Sequence, residues 1–195
     1  IALAAPTGKA AARLRESVAG ALERLDLPQA TRDLIPTEAF TMHRLLGSIP
    51  GSPYFRHHAK RKLPHDLVVV DESSMADMAL MAKLVDALRD DAALIIVGDR
   101  DQLSSVEAGA VLGDICDTGA RHAWSRGFAI DAGIADLAGG TDCVIVDVAP
   151  PLADTVVVLD RNYRFSDASG IGALRAAVRD GNHELALDIL TSRRY

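Results

Sequence analysis

Leu67-Val68-Val69-Val70-Asp71-Glu72-Ser73-Ser74-Met75 sets an unbroken aliphatic run directly against two carboxylates. Consecutive aliphatic residues without alternation predict a strand covered on both faces, as in the interior of a parallel sheet. A helix is expected next, with Met78, Met81, Val85 and Leu88 on one face. Ala93-Leu94-Ile95-Ile96-Val97-Gly98 repeats the strand pattern, and Ala108 to Asp117 reads as a short helix. Upstream, Ile1 to Ala5 is another buried strand, stopped by Pro6. Ala11, Leu14, Val18, Leu22 and Leu25 then recur at helical spacing until Pro28. Thr41 to Leu46 is a short helical turn closed by Gly47 and Pro50, and residues 48 to 65 read as loop. Alternating strands and helices predict a layered α/β domain.

Downstream the pattern weakens. Cys143 to Val148 and Thr155 to Leu159 are candidate strands. Ile171, Leu174 and Val178 mark an amphipathic helix that Gly181-Asn182 ends. A domain boundary is expected near 150 to 165, giving a first domain over 1–155 and the start of a second over 156–195. The chain opens at Ile1, inside its first strand, and is expected to be cut from a longer protein.

Composition bounds the function. The 195 residues are 49% hydrophobic and 25% charged, which excludes a disordered tail or a collagen-like chain. No apolar run reaches the roughly 18 residues of a membrane-spanning helix. Aromatics make up 4%, too few for extended base-stacking platforms. A net charge of -6 argues against a general nucleic-acid coat and permits a local basic groove. Cys116 and Cys143 form neither a metal-ligand spacing nor a disulfide framework; reduced thiols and a cytoplasmic location are expected.

The chemistry gathers where strands end, since open parallel sheets bind ligands beyond their carboxyl ends. Asp71 there can hold Mg²⁺ through water, and Glu72 can orient and deprotonate an attacking water. The plainer alternative is a polar strand end facing solvent. In Gly98-Asp99-Arg100-Asp101-Gln102, Gly98 allows close approach of a ligand. Asp99 and Gln102 would lie near the same crevice, or else simply close a turn. Arg56-His57-His58-Ala59-Lys60-Arg61-Lys62 is the one basic run, able to meet phosphates or to stand as a solvated loop.

These residues carry a family resemblance. Asp71 to Met75 resembles the Walker B box (motif II) of superfamily 1 helicases, and Gly98 to Leu103 resembles motif III. Asn162-Tyr163-Arg164-Phe165 resembles motif IV, and Ala5-Pro6-Thr7-Gly8-Lys9-Ala10-Ala11 resembles motif Ia. Gly98 to Asp114, Thr41 to Gly47 and Ser169 to Gly172 look like the RecD family in particular, which includes the alpha subunit of exodeoxyribonuclease V. The resemblance implies a RecA-like P-loop NTPase fold, a three-layer α/β/α with a mostly parallel sheet. It implies a 5′-to-3′ DNA helicase using ATP and Mg²⁺ in break repair and recombination. Single-stranded DNA and RecB-like and RecC-like subunits of exodeoxyribonuclease V are the implied partners.

By the same resemblance Thr7, Lys9, Thr41 and His43 lie on the DNA side. Tyr163 stacks on adenine, and Gln102 and Arg164 sense the γ-phosphate. Ala5 to Lys9 looks like a phosphate loop but is not one, because Leu3 and Ala10 stand where Walker A needs Gly and a hydroxyl. The fold is therefore expected to be incomplete, with its phosphate loop upstream of Ile1. The segment alone is expected to be inactive. The competing reading is a non-hydrolysing module that binds DNA or partner subunits.

Overall fold

The structure is a computed structural model describing residues 1–99, 102, 111–116, 123–134, 144–148, 152, 154–157, 159 and 169–191. It divides into two compact units, Ile1–Thr118 and Gly119–Tyr195.

The first unit is built on four parallel strands. These are β1 (Ala2–Ala5), β2 (Ala39–Thr41), β3 (Leu67–Val70) and β4 (Ala93–Ile96), in the order β2-β1-β3-β4. Parallel strands need crossovers, and here α1 (Gly8–Arg24), α3 (Met42–Leu46) and α4 (Met78–Ala87) lie in them. The short α2 (Gln29–Arg32) follows α1. Alternation along β1 divides the core. Ala2 and Ala4 join Val68, Val70, Met42, Leu46, Leu80 and Leu84 on one side of the sheet. Ala5 packs with Ala10 and Ala11 of α1 on the other. The result is a three-layer α/β/α arrangement. The small side chains of β1 let helices approach both faces closely.

Three expectations change. The buried stripe of α4 is Leu80, Met81, Leu84 and Ala87 with Leu88 beyond its end, while Met78 and Val85 are exposed. Asp77 caps the helix through its Oδ1, which accepts from the Leu80 N–H at 2.7 Å. The segment is apolar nearly all round, so periodicity admitted two stripes. The strand β4 is not covered on both faces: Ala93 and Ile95 are exposed, and among the described residues it pairs with β3 alone. Helix α1 ends at Arg24, leaving Leu25 extended and exposed rather than on the apolar face.

Residues 47–65 are tied down despite their loop composition. Gly47 takes φ +76, and a Cβ there would meet the Arg56 side chain at 3.0 Å. The Leu63 N–H donates to the Ala87 carbonyl at 2.7 Å, and the Leu63 side chain is fully buried. Lys62 Nζ donates to the Asp86 carbonyl and pairs with Asp90.

In the second unit β5 (Ala123–Ser125) and β6 (Val144–Val146) pair in parallel. Helix α6 (Arg126–Asp131) follows, its Ser125 cap accepting from the Phe128 N–H. Trp124 stacks on Phe128 at 4.8 Å. Helices α7 (Gly170–Arg179) and α8 (His183–Thr191) form a pair turned at Gly181, φ +68. The buried residues of α7 are Gly172 and Ala177, not Ile171 and Val178, which are exposed. Residues 155–157 and 159 take no strand conformation, against expectation. In the first unit again, α5 (Val111–Cys116) falls inside the predicted 108–117 helix, and Cys116 is a half-buried free thiol. No helix among the described residues is long and apolar enough to cross a membrane.

Candidate nucleotide and nucleic-acid site at the carboxyl edge of the sheet

Because all four strands run the same way, their carboxyl ends share one edge. The register aligns Ala5 with Thr41, and Ala4 with Val70, which in turn aligns with Ile96. The ladder continues one step further: the Asp71 N–H donates to the Ala4 carbonyl at 2.9 Å, and the Val97 N–H to the Val70 carbonyl at 2.8 Å. Thr41, Ala5, Asp71 and Val97 therefore form one row across the sheet. At about 4.8 Å per strand, the backbones of Thr41 and Asp71 stand roughly 10 Å apart.

Beyond that row the chain turns at each strand. After β1, Thr7 caps α1, its hydroxyl oxygen accepting from the Ala10 N–H at 3.2 Å, and Lys9 is exposed in the first helical turn. After β2, Thr41 caps α3 in the same way, accepting from the Arg44 N–H at 3.1 Å. His43 is exposed, its ring edge-on to Phe55 at 5.7 Å, while Arg44 lies over Phe40. Two capped helix starts thus stand on adjacent strands, with orphan N–H groups turned to the edge.

After β3, Asp71 Oδ1 accepts from the Glu72 N–H at 2.9 Å. Glu72 takes φ 52 and ψ 35, a left-handed conformation that an L residue adopts at a cost of roughly 1–2 kcal/mol. A 3₁₀ turn over Ser73–Met75 follows. Buried Ser73 donates through both its N–H (3.0 Å) and its Oγ (2.9 Å) to the Val97 carbonyl. After β4, Gly98 passes against this turn. A Cβ on Gly98 would lie 2.8 Å from Ser73 Oγ and 2.7 Å from Leu112 Cδ2. Asp99 and Gln102 are exposed, and the Gln102 N–H donates to the Asp99 carbonyl at 3.3 Å.

Sequence reasoning therefore named residues that the fold brings to one edge: Thr7, Lys9, Thr41, His43, Asp71, Glu72, Gly98, Asp99 and Gln102. Tyr163 and Arg164 lie outside the described residues, as does the rest of the Asn162 to Phe165 motif. Sequence reasoning assigns no task to Ser73. A small hydroxyl residue after the carboxylate pair was its only signal. In the basic run His57 Nδ1 sits 3.2 Å from the Lys62 carbonyl and His58 bridges to Arg61, while Arg56, Lys60 and Arg61 remain exposed.

Among the described residues no three His, Cys, Asp or Glu side chains converge on a metal position. The donor set still suits Mg²⁺, which is commonly held by one or two carboxylates with water and substrate phosphates completing its shell. Asp71 is half-buried, and among the described residues only its Oδ1 is engaged, which leaves Oδ2 as the oxygen to meet a cation.

Comparison with known proteins fits this geometry. A family model described as an AAA domain matches residues 1–108. The RecBCD enzyme subunit RecD of Mycolicibacterium smegmatis is 42% identical over 193 residues, covering 98% of this chain and 28% of that protein. The RecBCD enzyme subunit RecD of Haemophilus influenzae is 37% identical over 194 residues, covering 97% of this chain and 30% of its own. The ATP-dependent RecD2 DNA helicase of Deinococcus radiodurans is 43% identical over 112 residues, covering 57% of this chain and 13% of that protein. The chain thus spans less than a third of the length of these relatives. The three-layer arrangement with a parallel sheet agrees with a RecA-like P-loop fold, and the family implies nucleotide use. The chain belongs to the AAA domain family, and it is RecD-like over almost its whole length.

Proposed function

We propose that residues 1–195 are the part of an ATP-dependent 5′-to-3′ DNA helicase in which nucleotide and DNA meet. The intact protein would work in the cytoplasm in double-strand-break repair and recombination, with RecB-like and RecC-like subunits of exodeoxyribonuclease V. The observation that carries this reading is the shared carboxyl edge. Acidic groups stand at β3, and two capped helix starts with exposed cations stand at β1 and β2, one and two strand spacings away.

In this reading residues 1–155 belong to the first RecA-like domain and 156–195 begin the second. Asp71 holds Mg²⁺ through water, where the bound ion would neutralise charge on the nucleotide's phosphate oxygens. Glu72, held in its left-handed conformation, orients the attacking water and takes its proton. Gly98 and Asp99 line the nucleotide crevice, and the Gln102 amide, both donor and acceptor, reports the γ-phosphate. Arg164 offers forked donors to the same phosphate, and Tyr163 offers a ring to the adenine. Thr7, Lys9, Thr41 and His43 meet the backbone of single-stranded DNA, contacts that position without reading sequence. Closure of the two domains on ATP would change the grip on one strand, and reopening would advance the motor.

The test is Glu72→Gln in the full-length protein. It should bind ATP like wild type and lose turnover by several orders of magnitude. Wild-type turnover in this variant would remove Glu72 from the chemistry, whereas no turnover in the wild-type protein would favour a non-hydrolysing binding module.

A further inference from the structure

We infer that Ser73 is a positioning residue that couples the Glu72 carboxylate to the end of β4 at Val97 and Gly98, which leads to Asp99; this rests on the hydrolytic reading above. The Val97 carbonyl is the last acceptor of the β4 edge before the chain turns at Gly98. Ser73 donates to it twice, through its N–H at 3.0 Å and its Oγ at 2.9 Å. Ser73 is only 2% exposed, so these bonds form away from competing water.

Glu72 lies between two fixed neighbours. On one side the Asp71 N–H is held by the Ala4 carbonyl, and Asp71 Oδ1 holds the Glu72 N–H. On the other, Ser73 is fastened to Val97. A residue at φ 52 persists only where its surroundings over-determine it, and these two anchors do so. Relaxing Glu72 to negative φ would swing Ser73 away from the Val97 carbonyl. The direction of the Glu72 side chain is therefore set by the Ser73 bonds.

The same bonds fix where the second turn begins. Gly98 follows Val97 directly, and no side chain fits there, because a Cβ would also approach the Ser73 N atom to 3.2 Å. A shift of Gly98 and Asp99 that carries the Val97 carbonyl with it must move Ser73, then Glu72. Ser73 thus joins the segment that reads the γ-phosphate to the group that activates water.

The experiment compares DNA-stimulated ATP turnover of the full-length wild type, Ser73→Ala, Ser73→Thr and Glu72→Gln. Ser73→Ala should lower kcat about tenfold or more with KM for ATP within about twofold, the signature of an interaction that matters only in the transition state. Ser73→Thr, which keeps the hydroxyl, should recover most of that loss. If Ser73→Ala does not fold, Ser73→Cys makes the same comparison with a similar volume and a weak donor. A kcat in the Ala or Cys variant within twofold of wild type, or a rise in KM with kcat unchanged, overturns the proposal. So does a Thr variant no better than Ala. Wild-type turnover in Glu72→Gln would instead sink the underlying reading. Lost turnover in Glu72→Gln beside normal turnover in Ser73→Ala sinks only the coupling.

Discussion

Replacing Gly98 by alanine should destabilise the first unit far more than one methyl group suggests. The added Cβ would sit 2.7 Å from Leu112 Cδ2, 2.8 Å from Ser73 Oγ and 3.2 Å from Ser73 N. The Leu112 methyl is the far end of a flexible chain and can swing away. The Ser73 N atom is backbone, pinned to the Val97 carbonyl, and cannot. Relief must come from rotating Ser73 Oγ off Val97 or from opening the turn. Overpacking of this kind costs about 1–3 kcal/mol, and the lost hydrogen bond about 1 kcal/mol more. With a urea dependence of about 2 kcal/mol per molar, the unfolding midpoint should fall by about 1–2 M. Far-UV circular dichroism follows the transition. Gly20→Ala is the control, since that position lies inside α1 with no atom within 4 Å of the new Cβ. It should gain roughly 0.5–1 kcal/mol. An unchanged midpoint in Gly98→Ala, or equal losses in both variants, would refute the close-contact argument.

Glu72→Gly should abolish turnover yet leave a protein at least as stable as wild type. Relief of roughly 1–2 kcal/mol of left-handed strain outweighs the ~0.5–1 kcal/mol entropic cost of glycine; a clearly lower melting temperature would show that Glu72 is not strained. Lys9→Ala should weaken DNA binding similarly across sequences and flatten its dependence on salt, and an unaltered salt slope would make Lys9 a bystander. Burial lowers the pKa of His65, helped by His57 and opposed by Asp66. The unfolded chain therefore takes up this proton first as pH falls, so stability should decline below about pH 6.5. His65→Gln should flatten the difference between urea midpoints at pH 7.5 and pH 5.5, and an equal slope in both proteins would contradict this.

The strands β1, β3 and β4 were legible because unbroken aliphatic runs have few alternatives at that length. The candidate site was legible for the same reason, since motif residues fall where such runs stop. The strand β2 was not, because Ala39-Phe40-Thr41 has neither length nor pattern and exists by pairing with β1. Helix α4 was found but turned, since an apolar residue at almost every position leaves the choice of buried face to tertiary packing. The exposure of β4 followed from its place in the sheet, which the composition of a single strand cannot encode. Val156 and Val157 show the reverse case, with strong β propensity but no strand partner among the described residues. The Ser73 clamp escaped notice because its acceptor lies on another strand, visible only once β3 and β4 are in register.

The most direct test of the account is ATP turnover by the full-length protein, measured with and without single-stranded DNA. If the carboxyl edge brings nucleotide and DNA together, single-stranded DNA should raise turnover many-fold, and Glu72→Gln should abolish both basal and stimulated rates. Turnover indifferent to DNA, or surviving loss of the Glu72 carboxylate, would contradict it.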